Sequence, residues 1–136
     1  MVGDNPPESR RAVPGGYFHL PSISGRWAER YVEWRLRCRG WRIEARNLRT
    51  PVGEIDLLAR EGQILVIVEV KYRSNKRDWP LHFRQAQRLR RAALWLAANR
   101  CVTAGIRIDL FEVTARRFPL FPALDHLKAA VISDFP

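Results

Sequence analysis

The 136 residues predict a single α/β domain, a mixed central β-sheet flanked by helices, with elements in the order αβββαβ. Three observations carry that prediction. Apolar residues recur at helical spacing in two segments, residues 24–39 and 83–99. Between and after them stand runs dominated by Val, Ile and Leu, bounded by turn residues, as strands are. The length is that of one domain, and a 46% hydrophobic, 10% aromatic composition can supply one core. Collagen-like, low-complexity and wholly disordered readings are excluded by the same figures.

Residues 1–23 contain Pro6, Pro7, Pro14, Gly15, Gly16 and Pro21 without periodicity and are expected to form a flexible arm, with Arg10 and Arg11 free for loose phosphate contact. The domain proper is residues 24–136. Ser24 is a natural N-cap for a helix running to about Arg39, and Gly40 a natural stop. Within it Trp27, Tyr31 and Trp34 interleave with Ala28, Val32 and Leu36, giving a broad apolar stripe. Trp27, Trp34, Trp41 and Trp95 are therefore expected in the core. A first strand spans 41–47. Gly53–Arg60 and Ile64–Lys71 form a hairpin about Gly62-Gln63, with Gly62 placed for a type II′ turn. The second of these strands is apolar enough to be buried on both faces. After Pro80, residues 83–99 form the second helix, Arg84, Arg88 and Arg91 marking its polar side, and 106–113 a further strand. The tail is ambiguous, a short helix around Leu124–Ala130 being the nearest fit.

Charge is the informative part of the composition. Lys and Arg number 24 against 14 acids, a formal net charge of +10. Between Ser24 and Arg91 lie 17 of the basic and 8 of the acidic residues, so nearly the whole excess falls there. That is the electrostatic footprint of a polyanion binder. All but Lys71, Lys76 and Lys128 are Arg, the residue suited to bidentate phosphate contact, although GC-rich coding would favour it too. The longest unbroken apolar stretch, Ala92–Ala98, falls far short of the roughly 20 residues of a membrane span, so no membrane association is expected. The first twenty residues hold no apolar signal region. Cys38 and Cys101 have no disulfide or metal spacing, and a reducing cytoplasm is the expected location.

The hairpin register places the chemistry. With Gly62 and Gln63 as the turn, paired positions sum to 125, so Asp56 opposes Glu69 and Glu54 opposes Lys71. All four side chains should then leave one face of the sheet. Directly opposed like charges destabilise a sheet, and a divalent cation offsets that cost. A Glu-x-Lys pair at a strand end is most often a surface ion pair contributing about 0–1 kcal/mol. Here it closes a strongly apolar strand, Asp56 converges on it, and its Lys is one of three in an Arg-rich chain. Those features favour a site. His19, His82 and His126 form no pattern, and Trp79, near Arg77, is the best candidate for base stacking.

Gly53-Glu-Ile-Asp-Leu-Leu-Ala59 followed by Val68-Glu-Val-Lys-Tyr-Arg73 closely resembles the YraN-type family of small uncharacterised bacterial proteins, itself similar to PD-(D/E)xK, or restriction-endonuclease-like, nucleases and their Holliday-junction resolvases. Ala28-Glu29 with Leu36 and Gly40, Arg46-Asn47, Arg107-Ile-Asp109 and His126-Leu-Lys128 extend the resemblance over roughly Ser24–Ala130. It implies that Asp56 and Glu69 are metal carboxylates, that Lys71 is the catalytic lysine, and that Glu29 completes the metal set from the first helix. Glu54 belongs to the motif with a role left open. Gln85, where the family usually has Lys, and a short loop around Trp79-Pro80 depart from the pattern and bear on substrate contact.

The expected function is therefore endonucleolytic hydrolysis of phosphodiester bonds in DNA, branched (Holliday-junction-like) DNA included, with Mg²⁺ or Mn²⁺ as cofactor. Arg73, Arg77, Arg84, Arg88 and Arg91 are the expected nucleic-acid contacts, reading shape rather than sequence. A C₂ homodimer would supply two active sites for cutting two strands. Two alternatives stand beside this: a non-catalytic DNA- or RNA-binding module on the same fold, and a ribosome-associated factor whose basic face meets RNA.

Overall fold

In the computed structural model, which describes residues 23–73, 83–100, 102, 104–114 and 122–131, helix α1 (Ile23–Cys38) turns only a narrow strip inward. Ala28, Val32 and Leu36, at successive i, i+4 positions, are fully buried. The helix ends as Gly40 predicts. At φ +83 it lets Trp41 N–H donate to Leu36 O and Gly40 N–H to Arg37 O, both at 3.0 Å, the paired bonds of a Schellman cap. Trp41 is thereby turned into the core beneath Leu36.

The sheet has five strands in sequence order, β1 (Arg42–Thr50), β2 (Gly53–Glu61), β3 (Ile64–Arg73), β4 (Ile106–Thr114) and β5 (Ala123–Val131). Only β3 and β4 run parallel, joined through helix α2 (Phe83–Asn99), so the sheet is mixed as expected. Helix α1 closes one face over Leu57, Ala59, Val66, Val68, Phe111 and Val113. Helix α2 closes the other with Leu89, Ala92, Ala93 and Leu96 against Ile55, Leu58, Leu65, Ile67, Ile108 and Leu110. Strand β3, covered on both sides, is buried from Leu65 to Glu69. Gly62 has φ +59 while Gln63 stays out of the left-handed region, as a type II′ turn requires.

Two expectations are corrected. Residues 124–130 are not a helix: they belong to β5, an edge strand paired antiparallel to β4. Its alternation is broken by Ala129 at φ 53 and a register shift opposite Ile108–Leu110, and Leu127–Ala130 face solvent, so neither period was visible. Trp27 and Trp34 are not core. The apolar stripe on α1 is wider than the face it buries, and these two rings lie on its exposed flank. Trp41 is buried and Trp95 packs partly buried against the α2 core. The arm with Arg10 and Arg11 falls outside the described residues, except that Ile23 already opens α1, and Arg77, Trp79 and Cys101 also fall outside them.

Candidate active site

The hairpin keeps the expected register from Glu61↔Ile64 to Leu57↔Val68, and there the ladder stops. Ile55 packs under α2 and Leu57 under α1, two positions apart yet on opposite faces, so alternation slips across Asp56. In place of a ladder bond, Asp56 Oδ2 accepts the Val70 N–H at 2.9 Å. The expectation that Glu54, Asp56, Glu69 and Lys71 share one face is corrected accordingly. Glu54 turns away: with its amide oriented to donate, Asn47 bridges Glu54 Oε1 (3.2 Å) and Glu29 Oε2 (3.1 Å). Asn47 has φ 46, a left-handed conformation that Asn tolerates better than most residues.

Asp56 and Glu69 come together as the sequence predicts. Glu69 is only 4% exposed. Burial first, and then the neighbouring Asp56 carboxylate, push its carboxyl up to about 7, against the pull of Lys71 and Arg88. Burial likewise raises Asp56, against the Val70 N–H and Lys71. Two carboxyls this close in a desolvated pocket share a proton or a cation rather than both carrying charge. Lys71 Nζ stands 3.6 Å from Glu69 Oε1. Glu69 Oε2 is buried with no hydrogen-bond partner.

Arg88 is the residue whose role the charge pattern concealed. Its Nη2 donates to Glu69 Oε1 at 3.2 Å and its Nη1 to the Glu54 carbonyl at 2.7 Å. It thus ties α2 to both strands beside the acidic pair rather than standing in a row with the exposed Arg84 and Arg91. Gly53 makes room for it. With φ +131, a Cβ at Gly53 would lie 3.1 Å from Arg88 Cδ.

Glu29 reaches the same end of the sheet from α1. Burial, then Asp56 and Glu54, raise it to about 7. It lines an open cavity of about 510 Å³ with Arg26, Arg30, Glu33, Arg46, Asn47 and Leu57. There Glu33 accepts from Arg46 Nε and Nη2, both at 2.6 Å, which holds its carboxyl below the usual range. Sequence reading missed Asn47 as the link between Glu29 and Glu54, because its signal was only a polar residue in a strand. It missed Glu112 as well: in register beside Lys71 on β4, nearly fully buried, its Oε1 has no partner.

The donor set suits a hard cation. Two adjacent carboxylates and an unpartnered buried Oε2 offer the one or two ligands that Mg²⁺ takes from a protein when water and phosphate oxygens complete its shell. Among the described residues no group of three or more Asp, Glu, His or Cys side chains is placed to hold an ion, and Glu29 faces Asn47 at the same end of the sheet. Another buried carboxylate, Asp109 of β4, serves otherwise. Arg107 Nε and Nη2 (both 2.8 Å), His126 Nε2 (2.8 Å) and the Ala129 N–H (2.9 Å) surround it, so His126 is a structural residue. No helix of the described residues is long and apolar enough to cross a membrane.

The model of the uncharacterised protein family UPF0102 matches residues 28–113, a span that holds Glu29, Asn47, Asp56, Glu69, Lys71 and Arg88. A UPF0102 protein of Sphingopyxis alaskensis is 44% identical over 99 residues, covering 70% of this chain and 84% of the relative. One of Shewanella amazonensis is 43% identical over 94 residues, covering 66% and 87%, and one of Caulobacter vibrioides 42% over 99, covering 70% and 79%.

Proposed function

The chain belongs to the uncharacterised protein family UPF0102, and from the site it builds we propose that it is a metal-dependent endonuclease hydrolysing phosphodiester bonds in DNA, branched DNA included. One observation carries the proposal. Asp56, half-buried, and Glu69, buried, both raised, meet beside Lys71 where the β2–β3 ladder opens, and Glu69 Oε2 has no donor among the described residues. A fold gains no stability from such an arrangement. Metal-assisted hydrolysis of a phosphodiester uses it.

Asp56 and Glu69 would hold Mg²⁺ or Mn²⁺, which when bound lowers the pKa of a water and screens the phosphate charge. Arg88 restrains the Glu69 carboxylate by donating to Oε1, and Oε2 has no donor among the described residues. Lys71 offers three donors beside the pair, able to orient the attacking water and to neutralise charge building on the phosphate. Glu29, raised to about 7, can hold or release a proton near neutral pH. Arg73, Arg84 and Arg91 supply phosphate contacts along the edges of the site, with Arg77 in the same stretch of sequence. A homodimer would pair two such sites for two-strand cutting.

The test is calorimetric titration of Mg²⁺ and Mn²⁺ into wild type and an Asp56→Asn/Glu69→Gln double variant, with cleavage of labelled four-way junction, flap and single-stranded DNA in parallel. Metal binding and metal-dependent cutting that both vanish in the variant are expected. Nucleic-acid binding with neither metal affinity nor cutting would overturn the enzyme and leave a binding module.

A further inference from the structure

We propose that the aromatic ridge formed by the exposed rings of Trp27, Trp34 and Tyr72 around the half-buried Tyr31 is a stacking platform for unpaired bases, so that the carboxylate site takes single-stranded nucleic acid or the unpaired arm of a branched one; this rests on the nuclease reading for its direction toward the site.

The ridge is built from the flank of α1 that the core leaves uncovered. Trp27 and Trp34 are 47% and 55% exposed and Tyr72 39%. Trp27 stacks on Tyr31, rings 5.6 Å apart and 4° from parallel, and Tyr31 meets Trp34 at 6.2 Å. Tyr72 meets Trp27 edge-on at 6.4 Å. An exposed patch of large rings is a binding surface by default.

Charge decides what covers it. The acids of α1 point elsewhere, Glu29 to Asn47 and Glu33 to Arg46 and Arg37. Arg30, exposed, sits three residues after Trp27 and four before Trp34, hence between them on the helix surface. The Arg35 guanidinium lies 5.9 Å from the Tyr31 ring centre and donates to its hydroxyl at 3.1 Å. Aromatic faces interleaved with arginines match a polyanion that carries flat π-systems. A second copy of a chain with net charge +10 is a poor match for the same surface. Intact duplex is excluded by its own stacking, since bases about 3.4 Å apart along each strand present only edges. Bases of a single strand expose their faces. The ridge reaches the same end of the sheet as the site, on its α1 face: Tyr72, one residue beyond Lys71 and so on the other side of β3, meets the Trp27 ring.

The experiment is fluorescence anisotropy of a labelled oligo(dT) strand and of a blunt duplex of equal length, in EDTA, with wild type, Trp27→Ala, Trp34→Ala, Trp27→Phe and Arg30→Ala. Each Trp→Ala change is expected to weaken single-strand binding roughly 5- to 100-fold while leaving duplex binding and its salt dependence unchanged. Trp27→Phe should recover most of the loss, which separates a stacking role from a folding one. Arg30→Ala should weaken both ligands and flatten the salt slope by about one unit. Equal effects of the Trp changes on strand and duplex, or none on either, would overturn the platform. So would a wild-type dimer that Trp34→Ala dissociates, because a second copy would then cover the ridge. Binding in EDTA is independent of cleavage, so failure of the nuclease reading would appear separately, as strand binding intact with no cutting when Mg²⁺ is added.

Discussion

Asp109 and Glu69 lie on neighbouring strands, 0% and 4% exposed, and their surroundings are opposite. Burial pushes the Asp109 carboxyl up, but both guanidinium bonds of Arg107, the Ala129 N–H and His126 outweigh it and hold the group below its ordinary range. Burial pushes Glu69 up too, and there a second carboxylate reinforces the shift while Arg88 and Lys71 offset only part of it. Depth is the same in the two cases; the number and sign of partners differ. Asp109 joins β4 to β5 and, through Arg107, to Glu61 at the end of β2. Among the described residues Glu69 Oε2 has no donor. The centre around Asp109, on the α1 face, is electrostatically closed and serves the fold. The centre around Glu69, one residue further along and on the α2 face, is left open, and its unmet acceptors are what a cation or a proton would satisfy.

The largest effect that would break this contrast is expected at Asp109. Asp109→Asn strips the charge from a centre whose Arg107 partner is itself largely buried. Leaving that guanidinium short of its counter-charge should cost about 3–5 kcal/mol in urea denaturation. A loss under 1 kcal/mol would mean the bonds drawn around Asp109 do not carry the stability assigned to them.

Glu69→Gln should act with the opposite sign. In EDTA at pH 8 it removes a charge that the folded site disfavours, and stability should rise by on the order of 1–3 kcal/mol. At pH 4.5, where the native carboxyl is already protonated, wild type and variant should match. The same variant should lose metal-dependent cleavage, a trade of function for stability that the Asp109 change cannot show. If Glu69→Gln destabilised the protein at both pH values, Glu69 would belong with Asp109 as a structural group.

The wild-type pH profile sharpens the same point. For Glu29, Asp56 and Glu69 the folded pKa lies above the unfolded value, so the folded state binds more protons and stability falls as pH rises from about 4.5 towards 7. For Asp109, Glu33 and Glu44 the folded pKa is depressed, so their contribution is lost as pH drops below the ordinary carboxylate range. Thermal unfolding in EDTA should therefore show greatest stability near pH 5, and saturating Mg²⁺ should restore the loss at pH 8 but add little at pH 5. A flat profile would remove the distinction between the two centres.

How much of this the sequence discloses follows from local contrast. Asp56, Glu69 and Lys71 stand out because charged residues inside apolar strands violate the surrounding pattern, and the Gly62 turn fixes their register to within the last two pairs. The slip at Asp56 could not be read, because it arises from Ile55 and Leu57 seeking different cores across a sheet not yet assembled. Arg88 was hidden in an arginine stripe that resembles a solvated helix face. Trp27 and Trp34 were assigned inward because periodicity reports how wide an apolar stripe is and not how much of it the sheet can cover. Strand β5, an edge strand with a left-handed residue and four exposed positions, carries too little alternation to be seen at all.

Glu112 tests whether the contrast extends beyond the two residues that define it, and with the smallest expected effect. It stands in register with Lys71 on the parallel neighbour, as buried as Glu69, with Oε1 lacking a partner. By the logic of Glu69 it belongs to the open centre, so replacing the carboxylate with an amide gives up no bond at that oxygen and supplies a donor. Glu112→Gln should then change stability by less than about 1 kcal/mol in urea denaturation at pH 8. Because Glu112 stands in register with Lys71 on the neighbouring strand, the variant should also cut more slowly at saturating metal with metal affinity unchanged. A loss of several kcal/mol would place Glu112 in a closed network like that of Asp109 and confine the open centre to β2 and β3.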